Sequence, residues 1–151
     1  IWANIADDYG KIADSHPKIV KSEYIGGTLK GEVGAERACY FNESGTQFLK
    51  EKVKSFDKEN YTLVNTIFQA GKFPVDAPRT IGIYKIVPID ANSSKLIFEL
   101  TFRTKPAMMG GIMKKSFKKL IQDYFIALEH NLKTGEKVTQ ENFKEIKKLY
   151  K

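Results

Sequence analysis

The 151-residue chain predicts an α+β domain, a curved antiparallel sheet of six or seven strands gripping a long C-terminal helix. Short N-terminal helices precede the sheet, and a ligand cavity lies between sheet and helix. Three observations predict this. Strand-like segments succeed one another from residue 18 to residue 105 with no helical pattern between them. From Ile112 to Leu132 the apolar period changes to that of a helix. Strands in one run followed by a single long amphipathic helix favour an antiparallel sheet wrapped on that helix. The length suits one domain over residues 1–151, with 138–151 as a short helical extension.

Each element has a local reason. In residues 1–14, "IWANIADDYGKIAD", Ile1, Ile5, Tyr9 and Ile12 share a helical face with Trp2 beside them. "SHP" stops that helix, because a residue before proline is pushed out of helical geometry. "KIVKSEYI" (18–25) reads as a strand and "GGTLKGEVG" (26–34) as a glycine-rich loop. "AERACYF" is the second strand, and "NESG" is a turn. In the strand at 47–56, Phe48, Lys50, Lys52, Lys54 and Phe56 alternate with Leu49, Glu51, Val53 and Ser55. Lysine stems belong in water, so the second set faces inward and takes Glu51 with it. "YTLVNTIFQAG" (61–71), "RTIGIYKIVPI" (79–89) and "SKLIFELTFRTK" (94–105) complete the strands. In the long helix, Met113, Phe117, Leu120, Ile121, Tyr124, Phe125, Leu128 and Leu132 form one apolar face. Gly135 suits a left-handed cap, and "TQENFKEIKKLYK" (139–151) forms a last short helix.

Hydrophobic content of 42% and charged content of 28% are those of a soluble globular domain. The net charge of +7 favours an acidic partner or surface. The lysines are interleaved with glutamates, however, and only "MKKSFKK" (113–119) is dense. That distribution argues against nucleic acid. One cysteine rules out an internal disulfide and a Cys-based zinc site, and the two histidines match no metal-ligand spacing. No metal and no cofactor is expected. No apolar run reaches the roughly 20 residues of a membrane span, which leaves only peripheral membrane contact. With no signal peptide visible, the expected location is cytoplasmic, although the chain opens on Ile1 inside a helix-like segment.

The order of several motifs resembles the START-like, helix-grip superfamily, the polyketide cyclase/dehydrase and lipid-transport group. It is related in fold to the birch-pollen allergen and plant abscisic-acid receptors. The motifs are Trp2, Ile5–Asp7, His16–Pro17, Gly31–Gly34, Arg37–Cys39, Leu49–Glu51, Tyr61 and the helix at 109–133. The resemblance covers residues 1–133. It implies a cavity for lipids, hormones, polyketides or other apolar molecules, and no universal catalytic motif. That group carries a strand before its first helix, whereas this chain begins within the helix.

The candidate ligand-binding residues are Arg37, Cys39, Glu51, Tyr61, Asn65, Phe98, Met109, Phe117, Ile121 and Tyr124. Arg37 faces Glu51 across a hairpin if Phe41 lies opposite Gln47; a one-residue slip puts them on opposite faces. Two buried charges lower each other's cost. The pair then either anchors a ligand's polar group or serves as scaffold. Cys39 reads as a small buried hydrophobe, and His16 as a structural turn residue. "AMMGG" (107–111) reads as either a deformable entrance or a plain connection. The leading function is binding or transport of a small apolar ligand. The alternatives are a cyclase or dehydratase using Glu51 or Tyr124, and docking of the basic C-terminal helix on a protein or anionic membrane.

Overall fold

The computed structural model describes residues 1–150. The N-terminal segment forms two short turns of helix, a wide one over Ala3–Asp7 and a 3₁₀ helix over Tyr9–Asp14. Its apolar face buries Ile5, Ala6, Tyr9 and Ile12. Six strands follow: β1 Lys21–Ile25, β2 Glu36–Tyr40, β3 Phe48–Asp57, β4 Thr62–Ala70, β5 Ile81–Pro88 and β6 Ser94–Thr101. They pair antiparallel in sequence order as one sheet. Helix α1, Gly110–Thr134, packs in the curve of the sheet through Phe117, Tyr124 and Leu128. Gly135 ends it in the left-handed conformation, as the sequence predicts. A short helix α2, Phe143–Ile146, and a final turn, Lys147–Tyr150, close the described chain.

Two irregularities bend the sheet. β4 carries one extra residue, Phe68, between the pairs Lys50–Gln69 and Glu51–Ile67. β3 carries one extra, Lys54, between Val53–Asn65 and Ser55–Val64. An extra residue on one strand sharpens the local twist. It also reverses the alternation. Ser55 is therefore exposed, while Phe56 turns in to meet Trp2 at 5.1 Å between ring centroids. The sequence pattern places these two residues the other way round, because period-two reading has no place for an inserted residue.

The final segment packs on α1. Its Val138, Phe143 and Ile146 are buried with Ala127 of α1. Lys147 reaches the carboxylate of Asp123, which Lys119 also holds at 2.6 Å. Burial pushes Asp123 up, but the two lysines outweigh it and keep the carboxyl below its usual range. His130 lies between Tyr150 and Glu136, at 3.3 and 2.9 Å. The apolar side of the C-terminal segment is thus already used on α1, which counts against that segment as a free docking helix.

Candidate functional site

The direct register Arg37↔Glu51 is the one formed. Phe41 N–H donates to the Gln47 carbonyl, so the hairpin closes on the pairing that the sequence left conditional. Both residues point inward from β2 and β3. Arg37 is only 2% exposed. Its Nε donates to Glu51 Oε2 at 2.6 Å and its Nη1 to the Tyr9 carbonyl at 2.8 Å. The guanidinium carbon lies 3.9 Å from the Tyr9 ring centroid, a cation–π contact. Nη2 makes no hydrogen bond to the described residues. Burial works against the Arg37 charge and Glu51 works for it, and the charged form wins.

Glu51 is held from two further sides. Asn65 Nδ2 donates to its Oε1 at 3.1 Å and also to the Tyr9 hydroxyl at 3.3 Å. Cys39 Sγ donates weakly to Oε2 at 3.7 Å. Room for Asn65 comes from Gly82 on β5: a Cβ there would sit 2.5 Å from Asn65 Oδ1 and 3.0 Å from the Phe98 ring. The glycine is required by this close approach.

Between the sheet and α1 lies a cavity of about 100 Å³. Of the candidate residues, Arg37, Cys39, Glu51, Phe98, Phe117, Ile121 and Tyr124 line it. Three of the candidate residues lie elsewhere. Asn65 stands behind Glu51 and orients it. Tyr61 is 47% exposed and packs on Trp2 at 5.7 Å. Its left-handed φ of 47° takes it out of the strand, so it does not share the inward face of Leu63 and Asn65. Met109 lies in the 3₁₀ turn Ala107–Met109 that leads into α1. It is Met113 that borders a shallow groove outside the cavity, together with Phe73 and Ser116. Phe41, Phe117 and Leu120 wall both the groove and the cavity.

Sequence reasoning missed His16 and Tyr84, which bring polar atoms to the wall. His16 stacks on Tyr124 with centroids 5.0 Å apart. Its Nδ1 accepts the Lys18 backbone N–H at 3.1 Å, which leaves the proton on Nε2. Burial, helped by the Arg37 charge, pushes the imidazole down to about 3, so it stays neutral. Burial likewise raises the Tyr84 and Tyr124 hydroxyls, and the Cys39 thiol goes up to about 12. Among the described residues neither tyrosine hydroxyl nor His16 Nε2 has a hydrogen-bond partner, and all three residues line the cavity; the one fully buried side-chain N or O atom without a partner is Trp2 Nε1, outside the cavity lining. The signal for Tyr84 was present: strict alternation puts Gly82, Tyr84 and Ile86 on one buried face. His16 had only its place before a proline.

The chamber is therefore mostly apolar, with a few polar side chains in its wall. They offer neutral O–H and N–H donors beside an ion pair whose charges cancel. No group of three or more His, Cys, Asp or Glu side chains able to hold a metal occurs among the described residues.

A strand-only sheet gripping one long helix around a chamber defines a helix-grip protein. Solved structures share that fold across most of the chain. The crystal structure of Ara h 8.0201 superposes with a TM-score of 0.67 at 22% identity, covering 85% of each chain. The major latex-like protein 151 of Panax ginseng gives 0.59 at 10% identity, covering 89% of this chain and 86% of its own. An uncharacterised protein from Bacillus thuringiensis gives 0.60 at 19%, covering 82% of both. At these identities the likeness establishes the fold. No family model matches the sequence, and no curated protein matches it.

Proposed function

We propose that the chain binds a compact, mostly apolar small molecule that carries one uncharged hydrogen-bond acceptor, such as a carbonyl. The observation that supports this is the set of neutral donors without a protein partner, Tyr84, Tyr124 and His16, in the wall of an otherwise mostly apolar chamber. A buried polar group is normally satisfied, so donors left open toward a cavity define what should fill it. Size narrows the class. An apolar cavity of about 150 Å³ accommodates benzene, so about 100 Å³ limits the enclosed part of the ligand to at most one small ring, with any extension running toward the outer groove. A long acyl chain exceeds this volume. Charge narrows it further, because Glu51 already neutralises Arg37 and a carboxylate would meet no net positive field.

The cyclase or dehydratase alternative lacks a ready base. Glu51 is engaged by Arg37 and Asn65, and His16 presents an N–H where a base needs a lone pair. Titration with a ketone of ring size, followed by calorimetry, tests the binding reading. Tyr84→Phe and Tyr124→Phe are each expected to weaken binding by about tenfold, one hydrogen bond's worth. Equal affinity in both variants would refute the role of the donors.

A further inference from the structure

The excess of positive charge is not spread evenly over the molecule. Residues 100–122 contain Arg103, Lys105, Lys114, Lys115, Lys118 and Lys119 and no acidic side chain. Lys114, Lys115 and Lys118 are exposed, and among the described residues they form no ion pair. Large apolar side chains stand among them: Met108 is 85% exposed and Ile112 is 68% exposed. At helical spacing Met108, Ile112, Lys115 and Lys119 follow one another along a single stripe. The stripe lies on the side of α1 turned away from Phe117 and Tyr124; Lys119 at its end is held by Asp123 at 2.6 Å, so Lys115 is its unpaired cation, with Lys114 and Lys118 on the adjoining flank. The C-terminal lysines are different. Lys147 is spent on Asp123 and Lys148 on Glu145.

We propose that this face, Met108–Lys119, rests on a bilayer surface containing anionic lipid. The lysines meet the headgroups, while Met108 and Ile112 dip into the interface. Cations with no counter-charge beside exposed apolar side chains match such a surface in both charge and chemistry. A purely polyanionic partner would leave the apolar side chains without a role. The proposal does not rest on what fills the cavity.

Cosedimentation tests it with vesicles of phosphatidylcholine alone and of phosphatidylcholine with phosphatidylglycerol in equal parts. Binding is expected to the mixed vesicles only, and to weaken as salt rises. Combining Lys114→Gln, Lys115→Gln and Lys118→Gln should lower partitioning about 100-fold, on the order of fivefold per cation. Met108→Ser with Ile112→Ser should lower it by about tenfold or more. All these positions are exposed, so the variants keep the fold, which circular dichroism checks, and ketone binding should stay unchanged. Equal binding to neutral vesicles overturns the proposal, as does retention by the lysine variant. So does binding that needs the lysines but ignores Met108 and Ile112, since that marks a plain polyanion patch.

Discussion

The Arg37–Glu51 pair carries the residue-scale chemistry. Removing one partner leaves the other charged and buried, at a cost of about 3–5 kcal/mol. Arg37→Met should therefore lower the urea midpoint sharply, and adding Glu51→Leu should recover most of the loss. If the double variant is no better than the single, the two residues do not act as a pair. His16 gives a pH signature. Its native value of about 3 lies below its ordinary 6.5. Between those values the unfolded chain takes up a proton that the native state refuses. Stability is therefore complete above pH 6.5 and falls as the pH drops toward 3, at about 1.4 kcal/mol per unit. His16→Phe should remove about 2 kcal/mol of this loss at pH 5 relative to pH 7. Urea unfolding at the two pH values measures it, and an unchanged slope in the variant would mean that His16 is not buried as described.

At the scale of elements, the sequence shows where regular pattern rules and hides where one residue is added. The run of strands, α1 and the inward pair Leu63 and Asn65 follow from alternation and helical period, whereas Tyr61, placed on the same face by alternation, turns out through its left-handed backbone. The bulges at Lys54 and Phe68 do not, because an insertion costs the pattern nothing until the partner strand is known. The same limit held for the site. Arg37 and Glu51 were visible as inward charges, yet only the hairpin register joined them. His16 entered the cavity from a turn that has no periodicity to read. The C-terminal segment was legible as a helix, but the side of α1 that receives it was not, because Asp123 and His130 look like solvent-facing residues. That packing has a measurable weight. Phe143→Ala should cost about 3 kcal/mol, read from the urea midpoint, with ketone affinity retained. A loss below about 0.5 kcal/mol would show that the segment is only loosely attached.

On the scale of the whole molecule, the sheet and α1 build a small chamber with donors in its wall, and the outward side of α1 carries the exposed, unpaired Lys114, Lys115 and Lys118. Gly82 joins local sequence to that global shape. Gly82→Ala would press on Asn65 and Phe98, so it should weaken ketone binding and stability together. Calorimetry and urea unfolding on the one variant separate this from a change in binding alone. The occupied chamber itself is open to direct observation by intermolecular NMR contacts between the protein and cyclohexanone. Contacts to Tyr84, Phe98 and Tyr124 are predicted. No contacts at millimolar ketone, or contacts confined to the surface groove of Leu96, Phe125 and Leu132, would contradict a binding chamber between the sheet and α1.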